Sequence, residues 1–313
     1  MRGTSLIYSS HNRGNHIHND LIVQRALQGR DNKRILFLPM SEGYQNGSFM
    51  ERQDFSWGTF RWFFDFYAKH GLEYFPFYWS PDLKKSDVDA LWAQIYSAEV
   101  VILGGGNTHT GMARFRELGA RFEGNPEKMS SLLHERQQRG LLTVGYSAGA
   151  DQLCEYVLSS AFRPLRDPRG FALARNVMVM LHHEASANGD LYQMAGRFPQ
   201  CMVFGLPNDS GIYVDQGWLP SGNSWQAIQF VIDNSWDIPN EVYHVKTRFG
   251  EKIQHIGPDG RHWAFSGGDM LVRVQSADGR FHEAWMILGG EVRHYWTQRQ
   301  SRFNSVSDIL ANH

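Results

Sequence analysis

A chain of 313 residues with 42% hydrophobic and 20% charged residues carries enough apolar material for one large core or two smaller ones, which excludes wholesale disorder. Lys and Arg number 31 against 32 Asp and Glu, so the chain lacks the basic excess of a nucleic-acid-binding protein. Two cysteines, Cys154 and Cys201, are too few for a disulfide scaffold and sit in apolar stretches, where buried free thiols are expected. No run approaches the roughly 18 consecutive apolar residues of a membrane span. The N-terminal MRGTSLIYSSHNRGNH has no apolar signal core. The expectation is a cytoplasmic protein that binds neither membrane nor nucleic acid.

In chain order, SLIYSS (residues 5–10) reads as a short strand, and Asn19 as the N-cap of a helix ending near Gly29. RILFL (34–38) is a continuous apolar run, the form taken by a strand buried on both faces of a parallel sheet. The aromatic-rich stretch 57–69 predicts a helix stopped by Gly71. LEYFPFYW follows as a strand that is either irregular or an edge, because Pro76 cannot donate to a ladder. Ser86 and Asp89 form a capping pair ahead of Val88, Leu91, Trp92 and Ile95 at helical spacing. EVVILGGG (99–106), a helix over 126–138, LLTVG (141–145) and a helix over AGADQLCEYVL continue a βαβ rhythm, which predicts a mostly parallel sheet flanked by helices. Beyond about residue 235 the pattern alternates apolar and polar residues, with turn pairs at Asp259-Gly260 and Asp278-Gly279. The expected organisation is an α/β catalytic domain over 1–235 and a β-rich extension over 236–313, joined either as an appendage or as edge strands of the main sheet.

The sharpest local feature is VGYSAGA (144–150), a G-x-S-x-G sequence between a buried strand and a helix. That context is required of a nucleophile elbow, in which a tight turn lifts Ser147 above the sheet. The Ala148 N–H at the following helix start is aimed where an oxyanion would form. A second feature, GGGNT (104–108), ends another buried strand, at the edge where open α/β sheets bind ligands. Its glycines allow close backbone approach, so Gly105 or Gly106 supplies a second oxyanion N–H, with Asn107 beside the substrate. No P-loop lysine and no G-x-G-x-x-G accompanies it, which argues against a nucleotide.

Together VILGGGNT and GYSAGA resemble the serine peptidase family of aspartyl dipeptidase (peptidase E) and cyanophycinase, over roughly residues 5–215. The resemblance implies a class I glutamine amidotransferase-like fold and a histidine base just past the next strand. NVMVMLHHEAS (176–186) has that form, and His183 aligns best with the family histidine, with His182 as the alternate. The family's third residue, a Glu, falls on Asn208 in GLPNDSGI (205–212); either Asn208 orients the imidazole or a carboxylate does, Asp209 by preference or Glu184. Family arginines that follow the histidine are missing here, Arg197 being the first basic residue, so acidic specificity does not transfer directly. A rival α/β-hydrolase order of Ser147, Asp233 and His282 is also present.

The expected activity is hydrolysis of short peptides or isopeptides through an acyl-enzyme on Ser147, with no metal and no cofactor. A small peptide is the expected partner, and a homodimer the default assembly. The alternatives are a non-catalytic binding protein of the same fold and an esterase or amidase. His11, His16 and His18 do not compose a convincing metal set.

Overall fold

The computed structural model describes residues 3–10, 17–43, 64–233, 250–257, 259–278, 282–296 and 303–313. In chain order the strands are β1 (Ser5–Tyr8), β2 (Arg34–Leu38), β3 (Glu73–Pro76), β4 (Val100–Leu103), β5 (Leu142–Tyr146), β6 (Val177–Leu181) and β7 (Met202–Leu206). A long hairpin, β8 (Ser210–Trp218) and β9 (Ser224–Ile232), follows. The remainder are β10 (Ile253–Ile256), β11 (His262–Phe265), β12 (Met270–Gln275), β13 (His282–Leu288) and β14 (Glu291–Trp296). The helices are α1 (Gln24–Leu27), α2 (Lys85–Ser97), α3 (Thr108–Glu123), α4 (Lys128–Gln138), α5 (Ala148–Leu153), α6 (Asn188–Arg197) and α7 (Val306–Ala311).

Among the described residues, ten strands form the main sheet in the order β14-β13-β12-β9-β8-β1-β5-β4-β2-β3. The β1-β5-β4-β2-β3 half is parallel, and every pairing from β1 outward through β8, β9, β12 and β13 to β14 is antiparallel. The expected mostly parallel sheet is therefore corrected to a mixed one. The alternating C-terminal segments add antiparallel strands, which need only short turns, whereas each parallel pair needs a crossover. A second sheet, β11-β10-β7-β6, contains one parallel pair, β6 with β7. The chain beyond residue 250 thus joins both sheets: β12 pairs with β9, and β10 with β7.

Period-two alternation explains the layering. Leu36, Leu38, Val101 and Leu103 point to one face, against Leu91, Ile95, Phe115, Leu118 and Leu133 of α2, α3 and α4. Ile35, Phe37, Val100, Ile102 and Val144 point to the other, against Ile22, Val23, Ala26 and Phe64. Each such aliphatic side chain, fully buried, contributes roughly 1.5–3 kcal/mol.

Several local expectations shift. Asn19 lies inside a π-helical turn, Ile17–Val23, rather than capping a helix. The α2 cap is Asp87 accepting from the Lys84 N–H at 2.9 Å, not the Ser86–Asp89 pair; Asp89 instead pairs with Lys85. Helix α5 stops at Leu153, short of AGADQLCEYVL. Most of the aromatic stretch 57–69 lies outside the described residues, although Gly71 is left-handed (φ 82°), as a helix stop requires. The α3 helix carries Gly111 and Gly119 in its interior, which lowers its intrinsic propensity and hides it from a pattern reading. No helix among the described residues is long and apolar enough to cross a membrane.

Candidate active site

Ser147 stands between β5 and α5 at φ 48° and ψ −119°, a conformation that costs a non-glycine residue roughly 1–3 kcal/mol. The surroundings hold it there. Its N–H reaches both the Tyr8 and Ser9 carbonyls at 3.1 Å, and its carbonyl accepts the Asp151 N–H at 3.1 Å. Below it the Tyr146 ring lies 5.7 Å from Tyr8 and 6.5 Å from Phe37, centroid to centroid. A Cβ on Gly149 would come within 2.1 Å of the Leu103 carbonyl oxygen, so the second glycine of G-x-S-x-G lets α5 press onto β4. The strained turn leaves the serine partly exposed while everything beneath it is packed.

The histidine facing this serine is His182. Its Nε2 lies 3.3 Å from Ser147 Oγ. His183, the residue favoured by the family alignment, lies elsewhere, and the expectation is corrected on this geometry. Its N–H donates to the Leu206 carbonyl at 2.9 Å, and its ring packs over Gly205 and Leu191, 3% exposed. Burial holds the His183 imidazole below its ordinary value, against the opposing pull of the Asn188 side chain. The difference lies in one torsion. β6 ends at Leu181, and His182 adopts φ 53°, which breaks the strand's alternation and swings its ring toward β5.

Three residues orient that ring. His182 Nδ1 lies 2.8 Å from Asn208 Oδ1, and the Ser10 hydroxyl donates to the same oxygen at 2.8 Å. An amide oxygen is an acceptor only, so Nδ1 carries the proton and the Nε2 lone pair faces Ser147. The Ser9 Oγ accepts the His182 backbone N–H at 2.7 Å. Asn208 is 7% exposed, in the connection that leaves β7 in the second sheet and enters β8 in the main sheet. The site therefore spans both sheets: the serine on β5, the histidine after β6, the asparagine on the crossing between them.

Asp209, the preferred carboxylate, is fully buried at φ 52°; its N–H donates to the Ser10 carbonyl and its carbonyl accepts the Asp233 N–H. It acts on Tyr8, whose hydroxyl is held well above its ordinary value by burial, then by Tyr146 and Asp209. Asn208, not Asp209, meets His182. Glu184 is exposed and outside this contact. The α/β-hydrolase order is also excluded geometrically: His282 is on β13, five strand spacings from β5, or roughly 24 Å.

The GGGNT loop lies against the serine: a Cβ on Gly105 would sit 3.4 Å from Ser147 Cβ. Burial pushes the Tyr146 phenol beneath this loop well above its ordinary value, against the opposing pull of the Gly105 amide. Gly106 is at φ 122°, where a Cβ would meet the Ser41 carbonyl oxygen at 2.2 Å, so only glycine fits. Asn107 is exposed, and its Oδ1 caps α3 by accepting the Thr110 N–H at 3.0 Å. Ala148 is the first residue of α5, 4% exposed. Ser9 and Ser10 were not singled out from sequence, although the end of a central parallel strand is where α/β sites gather. Among the described residues, no three His, Cys, Asp or Glu side chains converge as a metal site would require. His18 lies against Tyr8, its Nε2 3.4 Å from the hydroxyl; His11 and His16 lie outside the described residues.

A serine on a strained strand-to-helix turn, faced by an oriented histidine, defines the class of serine hydrolases with an α/β core. Residues 6–219 match the model of Peptidase family S51, and the chain belongs to that family. It is 29% identical over 141 residues to Peptidase E of Salmonella gallinarum, covering 42% of this chain and 56% of that one. Against Peptidase E of Salmonella typhi it is 29% identical over 136 residues, 40% of this chain and 56% of that one. The matched region thus spans little more than half the length of these curated relatives. In fold it is similar to the crystal structure of a peptidase from an acI-B1 Actinobacterium, with a TM-score of 0.56 and 15% identity, covering 86% of this chain and 96% of that one.

Proposed function

We propose that this protein is a serine peptidase acting on short peptides through Ser147, His182 and Asn208. The observation that carries the reading is the line Ser147 Oγ, His182 Nε2, His182 Nδ1, Asn208 Oδ1, with links of 3.3 and 2.8 Å. In the proposed cycle His182 Nε2 takes the serine proton as Oγ attacks the scissile carbonyl. The Gly106 and Ala148 N–H groups hold the oxyanion. His182 then returns the proton to the leaving amine, and water releases the acyl group by the reverse path. Asn208 keeps the tautomer correct but offers less stabilisation to imidazolium than a carboxylate does.

An acidic dipeptide or isopeptide is the substrate class we favour. That preference rests on the family resemblance; the basic cleft of about 240 Å³ beside His109, with Arg116, Arg166 and Arg169, is lined by none of Ser147, His182 and Asn208. Arg197 donates one N–H to the Ala161 carbonyl at 3.1 Å. Asn208 in place of a carboxylate favours one second reading, a binding protein with a slow serine. Intact mass after treatment with a fluorophosphonate tests both. A single adduct lost in Ser147→Ala supports the peptidase, and hydrolysis of acidic and isoaspartyl dipeptides would complete it. An unlabelled wild type sinks it and leaves the binding protein.

A further inference from the structure

One buried side chain links the nucleophile helix to the glycine loop without touching any atom of the proposed reaction. Gln152, in α5, is 0% exposed. Its Nε2 donates to the Ser41 Oγ at 2.8 Å and to the Thr108 carbonyl at 3.0 Å. Ser41 in turn shapes the loop from the other side: its carbonyl accepts the Asn107 N–H at 2.8 Å, and it is the oxygen against which Gly106 is closely packed. Next to Gln152, the Thr108 side chain favours the charged form of the buried Asp151 carboxyl. Thr108 is thus held by α5 at its carbonyl.

Two features show that the chain sacrifices local stability for this contact. Gly111 sits in the first turn of α3, and glycine is a poor helix former. A Cβ there would stand 2.3 Å from both Gln152 Nε2 and Ser41 Oγ, so the glycine is the gap through which the amide reaches. The Gln152 Oε1 is buried with no hydrogen-bond partner among the described residues. Such unpaired groups are rare and call for an explanation beyond packing.

We propose that Gln152 is a positioning residue that holds the Gly106 N–H in register with Ser147, with Gly111 as its steric partner. The inference rests on the serine peptidase reading. Its consequence is that the loop's oxyanion donor and the nucleophile move as one body, since α5 carries Ser147 at its start and grips the loop one turn later.

The test compares Gln152→Leu, Gly111→Ala and the Gly111→Ala/Gln152→Ala double variant with its Gln152→Ala parent. Fluorophosphonate labelling rate and, on a cleaved dipeptide, kcat and KM are measured beside the melting temperature. Loss of a whole oxyanion donor costs about 10²–10³ in rate, and a displaced one should cost about 10–100-fold. Gln152→Leu and Gly111→Ala should each lower labelling and kcat by that factor, with KM within about twofold. In the Gln152→Ala background Gly111→Ala should cost clearly less than in the wild type, because the amide it displaces is gone and only the close approach to Ser41 Oγ remains. Wild-type rates in a folded Gln152→Leu would overturn the inference, as would an equal cost of Gly111→Ala in both backgrounds. If Gln152→Leu does not fold, Gly111→Ala decides: slowed labelling at unchanged melting temperature supports positioning, and unchanged labelling refutes it. A wild type that takes no label defeats the peptidase reading itself, a different result from a labelled wild type with indifferent variants.

Discussion

Asp151 lies one turn beyond Ser147, and its carboxyl is 4% exposed. Burial holds it at about 7, far above an ordinary aspartate, even though the Leu158 N–H at 2.6 Å and the Thr108 hydroxyl favour the charged form. The folded state therefore keeps a proton that the unfolded chain releases near pH 4, and stability falls as pH climbs from about 4 to about 7. At about 1.4 kcal/mol per tenfold, the loss between pH 5 and pH 8 is roughly 2.5 kcal/mol. Asp151→Asn removes the titration while keeping the geometry. Its amide oxygen accepts the Leu158 N–H and its NH₂ donates to the Thr108 hydroxyl, which accepts as readily as it donates. Urea unfolding of both proteins across pH 5–8 measures the effect. The curves should nearly coincide at the acid end, and the Asn variant should be the more stable by about 2–3 kcal/mol at pH 8. Parallel curves, or a gap that widens toward acid, would refute a buried, protonated Asp151.

Two other outcomes follow from the same contacts. His182→Ala should slow fluorophosphonate labelling by about 10²–10⁴, whereas His183→Ala should label normally once folded and lose roughly 2–3 kcal/mol by opening a cavity over Gly205; the reverse pattern would restore His183 as the base. Arg136, fully buried, donates to the carbonyls of Ile95, Ala98, Glu99 and Leu142, tying the end of α2 to β5. Arg136→Leu removes these buried hydrogen bonds and should cost about 3–5 kcal/mol in urea unfolding, with labelling of the folded fraction unchanged.

Much of this architecture is local, and local features are legible in a sequence. RILFL, VVIL and LTVGY are apolar runs because strands in the middle of a helix-flanked sheet are buried on both faces. GYSAGA announces its turn because the packing of α5 on β4 tolerates no side chain at Gly149. GGGNT announces its loop because Gly106 must adopt φ 122° against Ser41. Those constraints act within a few residues, so the residue types alone carry them.

The partners of the serine are decided at long range. His182 and His183 are chemically identical neighbours, and a single left-handed torsion at φ 53° separates the one at the serine from the one in the core. Asn208 rather than Asp209 meets the imidazole because the β7–β8 connection changes sheets there. Ser9 and Ser10 acquire their roles only when β1 is laid beside β5, 173 and 198 residues from their hydrogen-bond partners. The mixed sheet, too, depends on which edge the late strands join. Pattern and turn chemistry determine where strands end and where the chain must bend; pairing across the sheets determines which side chains then face one another, because hydrogen-bond geometry is settled in space and not along the chain.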